Sequence, residues 1–489
     1  MSPLLLLILL PIVSALFVIV GSPARKTALT AAALNVLAFL LIAGRYDLSE
    51  GGHQFLSSMP ILPDLGIAFT LGADGFSLAM LGLSVVVTLA AVAVARTPDK
   101  MPGSFYASLL LISAGAIGAF ASVDVFFFYM FHELALVPTF LLIGIWGSGD
   151  RQAAAWKVTI YLALGSFILL LGLIGLYLSM PAGARTFDMR EIASLAAIGA
   201  FVPHDAVFLL LFFGFGILVA LFPFHTWAPQ AYASAPSPAA MLHAGVLKKF
   251  GLYGMLRLLT PVFPEYMVER WSWLLLTLVA GNILYVGFVT ISQRKLDLML
   301  GHSSVMHMGY AFLGILAWNT LGVTGAAYTL IAHGLTIAAL FALSGELRAR
   351  TGTLDFSELG GLAKTVPAFA LLFGFAAMAS IGLPGFAGFA AEVMVFFGAF
   401  SGGPAGAPPF NLYQITTIIA VWGVVISAVY MLRAYRKVFL GEANGRWAAM
   451  PEIGWMTRIS VSALLVLLLI AGFWPPLLLK YLSPSLLVP

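Results

Sequence analysis

The sequence predicts an all-α polytopic membrane protein of about fourteen transmembrane helices, and three observations lead there. Of 489 residues, 61% are hydrophobic and 9% charged, against about 25% charged in an ordinary soluble domain. The apolar residues fall in continuous runs of about 20, long enough to cross a bilayer as helices, rather than in the short alternating segments of a β-barrel. The 49 glycines and 26 prolines suit helices whose neighbours can satisfy freed backbone groups.

In chain order the expected spans are 3–21, 27–45, 74–95, 104–121, 123–146, 157–180, 203–224, 237–259, 271–291, 297–317, 321–345, 366–400 as one broken span, 411–434 and 458–479. The first, SPLLLLILLPIVSALFVIVG, lacks a basic n-region and a small-residue cleavage site, so it reads as a retained span. Most connections are short, and 46–73, 181–202, 346–365 and 435–457 carry most of the charge. With both termini on the non-cytoplasmic side, sixteen Lys and Arg residues fall on inner loops. Six fall outside, namely Arg45, Arg185, Arg190, Arg257, Arg270 and Lys480, and Lys248 and Lys249 lie within a span. That asymmetry is the positive-inside bias.

Two spans are interrupted. In LFFGFGILVALFPFHTWAPQAY, Pro223 and Pro229 bracket His225 and Trp227; in SIGLPGFAGFAAEVMVFFGAF the breakers are Gly382, Pro384, Gly385 and Gly388. Proline removes a backbone donor and clashes with the preceding turn, so each interruption frees polar backbone that only protein or a hydrated cavity can cover. The breaks fall in the seventh and twelfth spans. An odd offset brings the two copies into the membrane from opposite sides, which predicts an inverted repeat.

The ionisable residues inside the spans are the candidate site. Glu133 sits in VFFFYMFHELALVPTFLLIGIW, where its neighbour His132 is the only other ionisable group, and an intramembrane acid marks an ion or proton path by default. Lys248 and Lys249 in MLHAGVLKKFGLYGMLRLL point about 100° apart on a helix, so one faces an axial path while the other snorkels or meets a carbonyl. His307 and His333 fall near the middles of adjacent spans, and imidazole accepts on one nitrogen while donating from the other. Glu392 follows the second break and ends the series Glu133, Lys249, His307, His333, Glu392. The bland alternative for a lone buried histidine is a hydrogen-bonded packing residue, and His302, about 140° around the helix from His307, and His243 fit that reading better. No i, i+4 histidine pair suggests a metal site.

There are no cysteines, which excludes disulfides, cysteine-held iron–sulfur clusters and thiolate zinc in this chain. No Gly-rich nucleotide fingerprint follows a plausible strand, and the net charge of +4 resides in topogenic loops, giving nucleic-acid binding no support.

The segments FYMFHELALVPTFLLIG, FPFHTWAPQAYASAP, AGVLKKFGLYGMLR, GHSSVMHMGY, IAHGLTIAALF and GLPGFAGFAAE together resemble the antiporter-like membrane subunits of respiratory complex I called subunit M or chain 4. These are similar in turn to subunits of multisubunit Na+/H+ antiporters and membrane-bound hydrogenases. The resemblance implies helices 1–3 over 1–102, an inverted five-helix repeat over 103–260 and another over 261–440, and helix 14 over 441–489, each repeat with one broken helix. It implies a non-redox, proton-translocating subunit of an NADH:quinone oxidoreductase in a bacterial cytoplasmic membrane. The implied path is Glu133, Lys249, His307, His333 and Glu392, with His132, Lys248, His225 and His302 as auxiliary candidates. No cofactor is expected in this chain; FMN, iron–sulfur clusters and quinone belong to partner subunits. Expected partners are other membrane subunits, neighbouring antiporter-like ones included, and membrane lipid. Alternative readings are a subunit of a cation/proton antiporter or hydrogenase-type complex, or a stand-alone solute transporter.

The sequence departs from the family pattern at the seventh span. The lysine expected a few residues before FPFHTW is Leu218, and GFGILVALFPF has no basic residue. The usual D-L-K order before the HSS-type motif is inverted, as Lys295-Leu296-Asp297. His132 or Lys248 is the candidate to supply the missing positive charge to Glu133.

Overall fold

Residues 2–403, 408–442 and 445–486 are described by the computed structural model; Met1 and residues 487–489, the extreme termini whose side the charge pattern assigns, lie outside them. The chain is mostly helical. Helices α1 (Leu4–Ile19) and α2 (Ala24–Ala43) precede strands β1 (Gln54–Leu62) and β2 (Ile67–Ala73). Then come α3 (Gly75–Val94), α4 (Pro102–Ala121), α5 (Val125–Trp146), α6 (Arg151–Ser179) and the short α7 (Met189–Ala197). An interrupted helix consists of α8 (Asp205–Val219) and α9 (Trp227–Ser234). One continuous rod contains α10 (Ser237–Leu242), a π-type stretch His243–Leu247, α11 (Lys249–Gly254) and a second π-type stretch Met255–Leu259. Likewise α12 (Glu265–Ala280) and α13 (Val286–Ser292) join through Gly281–Tyr285. After α14 (Leu296–Leu316), α15 (Thr320–Thr351) and the single turn α16 (Leu362–Thr365) come the second interrupted pair, α17 (Pro367–Ile381) and α18 (Ala387–Phe400). The chain ends in α19 (Leu412–Phe439), α20 (Trp455–Phe473) and α21 (Pro476–Leu482). Among the described residues, nine helices are long and apolar enough to cross a membrane, and α1, α8, α17 and α18 are shorter apolar helices.

The axis of the bundle is α15. Apolar residues fall on all of its sides, which is the pattern of a helix enclosed by others, and its most apolar window is wholly buried. Asn319 Oδ1 caps it by accepting from Gly322 N at 2.9 Å. Neighbouring backbones approach it closely: a Cβ at Gly325 would lie 2.7 Å from the Val395 nitrogen of α18. At the periphery, α1, α2, α6, α19 and α20 turn large side chains outward, among them Phe17, Leu41, Ile160, Phe167, Trp422 and Phe473, as lipid-facing helices do.

The two interruptions share an anatomy. Each begins with a 15-residue apolar helix, α8 or α17, and each ends in a left-handed residue, Ala220 (φ 70°) or Gly382 (φ 80°). At the first, Phe222–Pro223 is cis, and Asn282, on the π-type stretch between α12 and α13, takes up the freed backbone. Its Oδ1 accepts from Phe222 N at 2.5 Å, and its Nδ2 donates to Ala220 O at 3.3 Å and Val305 O at 3.2 Å. Trp227 Nε1 donates to Ile217 O at 3.1 Å across the same gap. At the second, His307 Nε2 lies 2.9 Å from Ser380 O.

The expectation of an all-α chain is corrected in the 46–73 connection. It folds into an antiparallel hairpin with Ser57 opposite Leu71 and Met59 opposite Phe69. A two-stranded hairpin is marginal alone; this one is docked by Val123 N donating to Thr70 O (3.0 Å) and Ala68 N donating to Asp124 Oδ2 (3.0 Å). The same Asp124 caps α5 with its other oxygen, accepting from Phe126 N at 2.8 Å. The 181–202 connection contains α7, whose Met189 and Ile192 are buried beneath it.

Helix ends move where charges find partners. Capped by Asp150, α6 begins at Arg151 rather than 157. Beyond the expected end at 345, α15 continues to Thr351, because Glu346 is paired with Arg96 (3.2 Å) and Arg350 (2.5 Å) and Arg348 with Asp297.

Replacing Asn282 by alanine leaves the backbone of the first break without its partners. The expected outcome is a loss of about 3 kcal/mol, read as a lowered unfolding temperature of the solubilised protein; an unchanged temperature would mean that the break does not depend on this amide.

Candidate functional site

Four of the five residues expected in a row come together around α15. Lys249, wholly buried on α11, has its Nζ 2.7 Å from His333 Nδ1 of α15 and donates to Ala244 O at 2.9 Å, with Met308 Sδ at 3.8 Å. The π-type stretch before Lys249 brings that carbonyl, five residues back, under the ammonium. When Lys249 is an ammonium it donates to His333 Nδ1, which puts the proton of the neutral ring at Nε2, and Nε2 has no protein partner. The rings of His333 and His307 are 5.8 Å apart. Both nitrogens of His307 face carbonyls, Nδ1 to Ser303 O at 2.8 Å and Nε2 to Ser380 O at 2.9 Å. Both contacts are donations only when the ring carries two protons.

A cavity of about 30 Å³ is bounded by His307, Tyr310, His333, Ser380 and Glu392, enough to hold water. Glu392, on the second turn of α18, is buried and folds back over the break. Gly382 makes room for it: a Cβ there would come within 3.0 Å of Glu392 Oε1, at a backbone angle that glycine adopts freely.

Glu133 lies apart from this cluster. Its side chain is 36% exposed and faces a lateral groove of about 300 Å³ between α5 and α6, with Leu136, Val137, Trp156 and Leu162. His132 Nδ1 is 3.5 Å from Glu133 Oε1. On the α11 side of this pair the rings stack: Phe250, next to Lys249 in sequence, sits on His132 at 4.0 Å and on Phe128 at 4.1 Å. Leu218, where the family pattern calls for lysine, is buried with Ile217 against Gly165 of α6, where a Cβ would meet its Cδ2 at 3.1 Å.

Lys248 is buried too and meets a carbonyl instead of snorkelling. Its Nζ donates to Ser304 O at 3.3 Å and lies 5.7 Å above the Tyr232 ring, so the structure does not bring it to Glu133. His225 packs at the first break against Phe222 at 5.6 Å. His302 is half-buried, its Nδ1 without a protein partner. His243 approaches Tyr232 Oη at 3.4 Å and Trp227 edge-on at 5.6 Å. No group of three metal-ligating side chains exists among the described residues. Sequence reasoning missed Asn282, whose signal was a lone amide in the apolar run LTLVAGNILYVGFV. It also missed the carbonyls of Ala244, Ser304 and Ser380, for which a sequence carries no signal.

The two ends of the bundle differ. At the end where α3 finishes, a cavity of about 830 Å³ collects Arg96, Lys100, Arg151 and Arg348 with Asp297 and Glu346. At the end where α3 begins, another of about 630 Å³ is lined by Asp74, Arg190, Tyr253 and Arg257.

Residues 122–416 match the family model described as NADH:quinone oxidoreductase/Mrp antiporter, TM. The chain is 35% identical to NAD(P)H-quinone oxidoreductase chain 4 of Gloeobacter violaceus, over 90% of this chain and 82% of that one. It is 31% identical to NADH-quinone oxidoreductase subunit M of Rickettsia felis, over 97% and 95%. Among solved structures, a chain of respiratory complex I from Thermus thermophilus superposes with a TM-score of 0.88 at 28% identity, covering 98% of this chain and 97% of that one. The match thus takes in both helix breaks and Glu133, Lys248, Lys249, His307, His333 and Glu392, and the chain belongs to the NADH:quinone oxidoreductase/Mrp antiporter transmembrane family.

Proposed function

We propose that this chain translocates protons as an antiporter-like membrane subunit of an NADH:quinone oxidoreductase of the complex I type. The observation that carries the reading is the contact of Lys249 Nζ with His333 Nδ1 at 2.7 Å, continued through the cavity shared by His333, His307 and Glu392. A proton given by the ammonium to His333 Nδ1 releases one from Nε2, which faces His307 and Glu392 across that cavity. His307, with a carbonyl facing each nitrogen, can donate to both once it takes a second proton, which suits it to hold the charge in transit. Glu392 closes the row as a carboxyl that exchanges a proton with the same cavity, and Coulombic coupling in a medium of low dielectric lets each protonation change the next.

The redox step belongs to other subunits: this chain has no cysteine to hold a cluster. FMN, iron–sulfur clusters and quinone are accordingly assigned to those partners. The reading takes the helices as fourteen spans with two inverted five-helix repeats, 103–260 and 261–440, flanked by 1–102 and 441–489. The matched anatomy of the two breaks supports this. Both termini are placed on the non-cytoplasmic side of a bacterial inner membrane, with the arginine-lined cavity inside. The half-exposed Glu133 in an apolar groove is a carboxyl in need of cover, and a neighbouring antiporter-like subunit packed on α5 and α6 would provide it. Glu133 enters the path through His132, which takes the place of the lysine replaced by Leu218.

Two outcomes follow for the assembled complex in inverted membrane vesicles, read as NADH-driven proton uptake by a pH-sensitive dye. Lys249→Met is expected to lower uptake about tenfold or more, while Lys248→Met, whose ammonium meets Ser304 rather than His333, lowers it by less than about twofold; equal losses would remove the distinction between the two lysines. His132→Phe should bring uptake down to the level of Glu133→Gln, and wild-type uptake in His132→Phe would end the idea that histidine stands in for the lysine.

A further inference from the structure

Beyond the Lys249–His333 contact, the helix that carries Lys249 leads to a second polar cluster that the proton path leaves unused. Tyr253 is one turn past Lys249 on the same side of the rod, and it is buried. Its hydroxyl lies 2.8 Å from Ser77 Oγ of α3 and 3.3 Å from Phe120 O, to which it donates. Ser77 Oγ accepts from Arg257 at 3.0 Å, and Arg257 forms a two-pronged ion pair with Asp74, the N-cap of α3. This pair is almost wholly enclosed, with 9% of the Arg257 and 3% of the Asp74 side chain exposed. The guanidinium also lies 5.0 Å over the Phe76 and Tyr253 rings and donates to Ser485 O at 3.3 Å. Tyr253, Asp74, Arg257 and Ser485 form the floor of the open 630 Å³ cavity at the end of the bundle away from the arginine-lined one.

We infer that Tyr253, supported by Ser77 and the Asp74–Arg257 pair, is a proton outlet that joins Lys249 to this cavity; the inference rests on the transport reading above. In the structure the outlet is shut. Lys249 Nζ is turned back to Ala244 O and His333, away from Tyr253. The rings of Phe76, Phe120 and Phe128, at 4.9, 5.0 and 5.9 Å from that of Tyr253, pack around it. Tyr253 is four residues on, about 6 Å along the axis, so the lysine side chain meets either His333 or Tyr253 and never both. The π-type stretches on either side of Lys249–Gly254 give this short segment freedom to turn. In the release step an N–H bond of the ammonium breaks and an O–H bond forms at Tyr253. The hydrogen formerly on Tyr253 passes to water in the cavity, leaving the lysine neutral and the tyrosine unchanged. Because Arg257 and Asp74 cancel each other's charge, the floor of the cavity does not retain the proton.

The test uses the assembled complex in inverted vesicles, with NADH oxidation by an artificial acceptor as the measure of assembly. Tyr253→Phe keeps the ring and removes the hydroxyl. The expected result is proton uptake about tenfold lower, matching Lys249→Met, with unchanged NADH oxidation by the acceptor. Wild-type uptake in Tyr253→Phe beside loss in Lys249→Met overturns the outlet and leaves the transport reading standing. Wild-type uptake in both variants overturns the transport reading and the outlet with it. Independently, Ser485→Cys introduces one thiol into a chain that has none. Its labelling by a membrane-impermeant maleimide from the non-cytoplasmic face supports the outlet, and labelling from the cytoplasmic face alone, or none, overturns it.

Discussion

Everything in this fold answers to one constraint: a polar group inside the apolar slab must find its partner within the protein. The interruption after α8 is tolerable because one amide, Asn282, takes up the freed groups of Phe222 and Ala220 while holding Val305. Buried lysines obey the same rule, Lys249 through Ala244 and His333 and Lys248 through Ser304. Each of these partners is a backbone carbonyl, hydroxyl or imidazole rather than a carboxylate. That choice holds the ammonium without fixing it in a permanent ion pair, and a group so held can give its proton up.

The architecture concentrates these contacts around α15. A helix enclosed on all sides brings His333 within reach of Lys249 from one side and of His307 and Glu392 from the other. The interrupted pair α17 and α18 contributes both the Ser380 carbonyl and the Glu392 carboxyl to this point. The break is therefore part of the cluster and not a defect near it.

Much of this was legible in the sequence, for a physical reason: apolar runs of bilayer length and lone charges within them are one-dimensional signals. Glu133, Lys249, His307, His333 and Glu392 could be singled out because ionisable residues are rare in such runs. The partners could not, because Ala244 and Ser380 act through carbonyls that every residue possesses. The hairpin at 46–73 was hidden because its strands mix serine, threonine and proline with apolar residues and draw their support from Asp124 and Val123, distant in sequence. The separation of Glu133, in its lateral groove, from the cluster around His333 depends on helix rotation, which span order does not encode.

That separation, with Leu218 at the lysine position, changes what the α5 end of the chain can sense. A lysine on α8 would shift a full charge relative to Glu133 whenever α8 moved about its break. Leucine carries no charge to shift, and His132 is fixed beside Glu133 on the same helix, so the pair travels as a rigid unit. Mechanical displacement of α8 is thus electrically silent at this glutamate. Only the number of protons on the pair itself, and whatever charge enters the open groove, can alter its potential.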